Sequence, residues 1–569
     1  MKLLSACLAF VFAEIITALA LGFFCSGLNT PVAGFALGIG AIVGVAAWRS
    51  THDDPAPRAG IWDAIALSAF ALVSLRAFLW LIYLRGDEIC VLSPNNLGDM
   101  SLHLNFIRYL ASGVPFWPES PILTAAPLSY PLGADLFNSL IGVCGGNTLR
   151  ALVWTGLGGA ALTGYALWRW GGAFGLAAFL CNGGLLGFAV LRTWQIEDFQ
   201  SEAVWKNFFL SMFITQRGLL FALPAGLLLL SVWREFFFRS GRRILPPWLQ
   251  GLLYAGMPLF SFHAFLFLSL ILAAIFVGQK KSRRDVLVFV TSAFLPATVC
   301  VVLVTGFFSA SSGIRLEPSW ILGGKGAMAL LWNFGLTLPL VLILAVRLGR
   351  SQDADARAFV WAALMIFLIC CAVIFTPWDW DNMKLMMWSW LVVAPYLWTN
   401  LIAGLHLPVR AAICFVLFFS GAVSLVGGLD ARHGYTLARR SELDAWQHAI
   451  AGIPPGTRFA CVPDYNHPLI LLGRKVACGY EGHLWSHGLK FQKKLALLKS
   501  ALAGQTAWPI AEPVLGVEWL ALRQTDYSAA RPPGELPPVG IGALYDLRPL
   551  FKRDSYSQAP LQLPPRAVD

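Results

Sequence analysis

The residues with chemistry to offer fall in a few short stretches. In GDMSLHLNFIRYLASG (98–113), Asp99 and His103 are four apart, so they share one face of a helix whose Leu102, Phe106, Tyr109 and Leu110 recur at helical spacing. A carboxylate there can take a proton from a hydroxyl, and an imidazole beside it can orient it, or bind an anion or a metal. The same two residues also suit plainer duties, Asp99 as a helix cap and His103 as a surface group. In TWQIEDFQSEAVWKNFF, Asp198, Glu202 and Lys206 follow at i, i+4 and i+8, which predicts one helical face, either for substrate or for internal ion pairs. PWDWDNMK (377–384) packs Asp379, Asp381, Asn382 and Lys384 between two apolar runs. Lys384 can meet a phosphate as a point charge, Trp378 and Trp380 can stack on a sugar, and Asp381-Asn382 also satisfies ordinary turn chemistry. Arg315 and Arg217 are further phosphate candidates. His483 and His487, with Glu481 nearby, have a weak metal-like spacing without a third ligand in register.

These stretches are interruptions in a very apolar chain. Of 569 residues 57% are hydrophobic and 13% charged, with 23 Trp; mean hydropathy is +0.65. Soluble proteins carry roughly 25% charged residues, so a soluble fold and a disordered chain are both excluded. Runs long enough to cross a bilayer lie at 3–28, 31–48, 61–84, 148–168, 172–191, 213–236, 286–307, 327–348, 358–376, 385–403 and 411–429. The stretch 248–278 is apolar with basic flanks and is broken by Met257-Pro258 and Ser261-Phe262-His263, which predicts a hairpin of two short helices returning to one side. The basic clusters Arg239/Arg242/Arg243, Lys280/Lys281/Arg283/Arg284 and Arg347/Arg350/Arg357 then all fall inside. That placement accounts for the net charge of +11 without nucleic acid, whose backbone needs a continuous basic surface.

The resulting fold class is an all-α polytopic membrane protein of about 11 spans plus the hairpin, with a small α/β domain at the carboxyl end. The amino terminus is cytoplasmic and reads as a retained anchor, in a plasma (inner) membrane. Residues 1–60 are two leading helices and 61–429 the membrane domain. Loops 85–147, 192–212, 308–326 and 377–384, together with the tail 430–569, lie on the outer, extracytoplasmic face. In the first loop, Pro118, Pro121, Pro127 and Pro131 give a rigid path to a second helix carrying Asp135. Arg76 is placed to brace Glu14 inside the membrane, and His263 marks the hairpin break. Cys90 with Cys144 and Cys461 with Cys478 are each open to pairing or to remaining free thiols. No internal repeat and no Walker signature is present.

The Gly98-Asp99 to His103 segment with its proline-rich continuation, the hairpin around His263 and the Trp-Asp-Asn-x-Lys stretch at 380–384 together resemble the GT-C class of membrane glycosyltransferases. The resemblance implies inverting transfer of a sugar from a polyprenyl-phosphate donor to a lipid, glycan or protein acceptor at the cell envelope. Carried over, Asp99 is the general base with His103 beside it. Lys384 or Arg315, then Arg217, stabilises the leaving phosphate. Asp198 is a second acid for acceptor, sugar or ion, with Asp381 and Glu202 on the substrate side. Some members need a divalent cation, Mg or Mn, and others none. In the class the catalytic loop usually follows the first helix, whereas here two extra helices, 3–28 and 31–48, come before it. The competing readings are a transporter or flippase, which expects polar groups near the midplane, and a non-catalytic envelope-polymer assembly protein.

Overall fold

The computed structural model describes the whole chain except residues 53, 55–57, 93–94, 310–312, 324–325, 532, 535–536, 539–543 and 555–569. It is mainly helical. In chain order the membrane part comprises α1 (Lys2–Phe24), α2 (Thr30–Ser50), α3 (Ile61–Leu79), α4 (Asn95–Ala111), α5 (Gly133–Val143), α6 (Thr148–Leu180), α7 (Val190–Thr193), α8 (Leu219–Phe238), α9 (Pro247–Phe260), α10 (Phe262–Gly278), α11 (Arg283–Val304), α12 (Met328–Phe334), α13 (Thr337–Gly349), α14 (Ala354–Ala372), α15 (Met383–Leu397) and α16 (Leu407–Gly428).

Among the described residues, eight helices are long and apolar enough to cross a membrane, or nine when α12 and α13, bent by 87°, count as one span. Two of the expected spans, 148–168 and 172–191, fall largely within α6, where Gly172 has φ +58° and breaks the helical path. Phe70 packs on Phe179 and lies against Gly164, so the chain doubles back at Gly172. Only glycine adopts that backbone cheaply. The second arm stops at Leu180 and continues as short turns, so 172–191 is not one continuous helix.

α9 and α10 meet at Ser261, whose backbone is extended and whose Oγ accepts from the Ala264 amide at 3.2 Å. Tyr254 and Ser269 share a hydrogen bond of 2.8 Å, and Tyr254 packs on Phe265 at 5.1 Å. Fifteen residues of straight helix would separate the first pair by about 22 Å, so the two helices fold back on each other. Their tip presses on Gly218, where a Cβ would come within 1.8 Å of the Phe260 carbonyl oxygen. One expected brace is not formed: no Glu14–Arg76 ion pair exists among the described residues, and Arg76 instead stacks on Trp80 at 4.6 Å.

The tail and the first long loop are one structural body. Strands β1 (Tyr83–Arg85) and β2 (Glu88–Val91) form an antiparallel sheet with Tyr435–Arg439 of the tail. A second sheet contains Arg458–Ala460, Lys475–Val476, Trp519–Ala521 and Leu544–Asp546. The first of these is parallel to the next two, and the last is antiparallel to its neighbour. The proline-rich path extends this sheet, with the Val476 amide donating to Pro121 (2.9 Å) and Gly479 to Ile122 (2.8 Å). Glu119 seals the junction by pairing with Arg458 (3.0 Å) and Lys475 (2.6 Å). These cations hold its carboxyl below the ordinary range against the opposing effect of burial. The expected strand 514–522 begins later, because Trp508–Leu515 is helical and Gly516 ends that helix in a left-handed conformation. All eleven cysteines are free.

Candidate functional site

The described side chains of helix α4 are buried almost all round. Residues Leu102 through Ile107 and Tyr109 and Leu110 are all buried, because the tail covers the face turned away from the bundle. Asn105 donates to the Ile470 carbonyl at 2.9 Å and Arg108 to that of Leu471 at 2.7 Å. These bonds fix the helix that carries Asp99 and His103.

His103 and Asp135 form a buried dyad. The imidazole Nδ1 lies 2.8 and 3.0 Å from the two carboxylate oxygens of Asp135, and the two side chains are 2% and 1% exposed. A carboxylate only accepts, so Nδ1 carries a hydrogen and donates it to Asp135. Nε2 has no protein partner among the described residues. Asp135 itself lies in the field of Arg217, which is fully buried and gives one nitrogen to the Leu152 carbonyl at 2.8 Å. Arg217 thus neighbours the dyad, fully buried, with Nε and Nη1 unpartnered among the described residues.

Asp99 is the group whose chemistry this arrangement tunes. Burial pushes its carboxyl up to about 6, while His103, Lys384 and the Thr215 hydroxyl favour the charged form and Asp381 opposes it. A base titrating near there is mostly ionised at neutral pH and so ready to accept a proton. Thr215 is in hydrogen-bonding reach of both Asp99 and the Ser211 carbonyl.

Lys384 reaches the cluster from the loop 377–384. It pairs with Asp381 at 3.0 Å, and the two side chains are only 13% and 15% exposed, so bulk solvent screens the pair little. Asn382, fully buried, builds the turn: its amide donates to the carbonyls of Val373 (2.6 Å) and Cys370 (3.1 Å) and accepts from the Phe375 amide (3.0 Å). Lys384 and Asp381 are also charged neighbours of His263 at the hairpin tip.

The tail closes the cluster with two histidines. His487 packs on Tyr130 at 4.9 Å, and Tyr130 packs on His103 at 5.9 Å. His483 lies against Gly98, where a Cβ would be 3.2 Å from its Nε2. Trp485 meets Trp378 of the loop at 6.3 Å. Burial holds His483 down at about 4, helped by His103, and His487 at about 3, helped by His483, Lys384 and His103. Tyr130 is pushed well above its ordinary range by burial and by Asp135, Asp99 and Asp381. The chemistry assembled is one tuned carboxylate, an oriented imidazole, a lysine and two histidines held neutral by burial.

The remaining sequence candidates sit elsewhere. Arg315 pairs with Glu317 at 3.1 Å and donates to the carbonyls of Thr376 (3.1 Å) and Pro377 (3.3 Å), so it clamps the base of the 377–384 loop. Asp198, Glu202 and Lys206 do not share a helical face, since residues 194–206 contain no regular helix. The Asp198 carboxylate accepts from the Gln200 amide two residues on (3.1 Å), an Asx turn that competes with helix. The two acids lie near Lys206, which packs over the Trp380 ring at 5.4 Å. Sequence reading placed Asp135 on the second helix but gave it and Tyr130 no part in the site, did not single out Thr215, and left His483 and His487 to substrate contact or packing as much as to a metal. Among the described residues no three His, Cys, Asp or Glu converge as a cation's ligand set.

No protein-family model and no curated protein sequence matches the chain. Among solved structures it is similar to the Archaeoglobus fulgidus oligosaccharyltransferase. With that protein tethered through a disulfide to an acceptor peptide containing the NVT sequon, the identity is 14%, with 81% of this chain and 69% of that chain covered at a TM-score of 0.40. With its apo form the identity is 13%, with the same coverage and a TM-score of 0.47.

Proposed function

We propose that the chain is a membrane glycosyltransferase that moves a sugar from a polyprenyl-phosphate donor to a hydroxyl acceptor on the face bearing the tail. The carrying observation is the convergence of Asp99, tuned to about 6, with Lys384 and three histidines at the membrane edge. An apolar groove supports a long-chain donor: a cavity of about 620 Å³ between α10 and α14 runs from Gln279 and Arg357 to Phe375 and Leu385, next to Lys384.

In this reading the acceptor hydroxyl gives its proton to Asp99 as its oxygen forms a bond to the anomeric carbon. The bond from that carbon to the donor phosphate oxygen breaks in the same step, which inverts the centre. Lys384 stabilises the departing phosphate, with His487 and His483 beside it. With His103 neutral, the Asp135–His103 dyad holds an acceptor nitrogen at Nε2, which orients the nucleophile or relays the proton away from Asp99. Asp381 keeps Lys384 in place before the donor arrives. Asp198 and Glu202 belong to the acceptor side, near Trp380.

The test is transfer from a panel of polyprenyl-phosphate sugars to a membrane-lipid and glycan acceptor pool by purified wild type and Asp99→Asn, with folding checked. Transfer by wild type that is lost in the folded variant supports the reading. Equal transfer by both moves the base to another residue, and no turnover of any donor by folded wild type favours transport or assembly.

A further inference from the structure

Two adjoining cavities lie away from Asp99, along α6. The first, of about 630 Å³, opens where β1, the end of α4, the start of α6 and the tail helix Arg440–Ala449 meet. Three arginines line it, Arg108, Arg150 and Arg440, against one acid, Asp444. Arg440 approaches Asp444 only to 3.7 Å, and Arg108 gives one nitrogen to Leu471. The Arg150 guanidinium has no ion pair or hydrogen bond among the described residues. The cavity therefore keeps a positive excess, with Arg150 and Arg440 exposed beside the apolar side chains of Leu149, Val153 and Leu443.

The second cavity, of about 720 Å³, shares Asn147, Arg150 and Trp154 with the first and descends between α1, α5 and α6 to Leu162 and Cys7. Asn147 to Leu162 corresponds to about 22 Å of helix, most of the roughly 30 Å hydrocarbon thickness. Its lining is almost wholly apolar below Arg150. Trp154, 68% exposed at the junction, stands where an aromatic side chain marks the bilayer interface. A basic head joined at one arginine to an apolar stem matches a lipid with a negative headgroup.

We propose that this cleft binds one anionic glycerophospholipid of the surrounding bilayer, with its phosphate among Arg150, Arg440 and Arg108 and one acyl chain between α1, α5 and α6. Because Arg150 belongs to the bundle and Arg440 to the tail, the bound lipid fastens the tail body to the membrane part. This assignment is independent of the catalytic reading.

The full-length protein is titrated with phosphatidylglycerol, phosphatidylcholine and polyprenyl phosphate, and retained lipid is counted by native mass spectrometry alongside thermal unfolding. Arg150→Gln/Arg440→Gln is compared with wild type; Arg108 is left in place because it holds Leu471. Phosphatidylglycerol is expected to be retained once per chain and to raise Tm, with affinity falling roughly tenfold or more in the variant as two charge-assisted contacts are lost. Phosphatidylcholine is expected to bind no better to wild type than to the variant. Equal retention of the two phospholipids, or an unchanged affinity in a folded variant, overturns the proposal. A preference for polyprenyl phosphate that the variant loses also overturns it, by giving the cleft to a prenyl lipid.

Discussion

Replacing Asp99 with Asn should abolish transfer and at the same time make the protein more heat-stable. Burial lifts the Asp99 carboxyl to about 6 from an ordinary 3.8. The folded state therefore holds this proton more tightly than the unfolded state does. Below about pH 4 the group is protonated in both states and costs nothing. Between pH 4 and 6 the unfolded chain ionises first, and above about pH 6 the folded protein carries a charge it would shed into water. At 1.36 kcal/mol per decade of proton affinity, the gap sets an upper bound of about 3 kcal/mol. Asp99 retains partial exposure, so about 1–2 kcal/mol is the realistic figure, or a few degrees in Tm. The assay is thermal unfolding of both proteins from pH 4.5 to 8, followed by tryptophan fluorescence. The advantage of Asp99→Asn should rise with pH to about 7 and then level off. An advantage that is absent at pH 7.5, or unchanged across the range, would refute the claim that ionised Asp99 is held at a cost.

Further outcomes follow from the same cluster. Asp135→Asn should lower transfer by about 10²–10⁴-fold while Tm changes little, because the amide keeps contact with His103 but no longer dictates which nitrogen is protonated; steady-state rates beside melting curves check this. Lys384→Met should raise the donor KM by tenfold or more. The double variant Lys384→Met/Asp381→Asn should recover Tm without recovering donor affinity, since it removes the stranded carboxylate but not the need for a cation. An anionic donor arriving beside His487 and His483, held at about 3 and 4, should raise both toward protonation. Calorimetry in buffers of different ionisation enthalpy should then show proton uptake on donor binding near pH 6, reduced in His487→Ala. Asn382→Ala should cost about 2 kcal/mol or more of stability, read in denaturant or heat, because it strands the buried carbonyls of Cys370 and Val373.

What was legible in the sequence was what depends on local pattern. Apolar runs and basic clusters are signals of twenty residues or less, so eight of the eleven expected spans, and the reversal at Ser261 between two basic flanks, could be read directly. Asp99 and His103 were legible for the same reason, being one helical turn apart. The partner that gives His103 its chemistry was not, because Asp135 sits on a different helix 32 residues on. The tail histidines are further still from α4 in sequence, and no periodicity reports a contact made by folding a domain over a loop. The face expected from Asp198, Glu202 and Lys206 failed on a local competitor. The Asp198 side chain satisfies the Gln200 amide itself, and Trp194 takes a left-handed turn just before it.

The junction between tail and first loop also has a consequence in time. Synthesis places Asp99 and His103 at the membrane early, while His483, His487 and the strands that take up Pro121 and Ile122 emerge only after the last span, Leu407–Gly428. Until then Glu119 has neither Arg458 nor Lys475, and α4 lacks the carbonyls of Ile470 and Leu471 that fix its position. In the proposed reading the nascent protein is therefore inert: Asp99 is present from the start, yet nothing holds it in working geometry before the final segment is translated and docked.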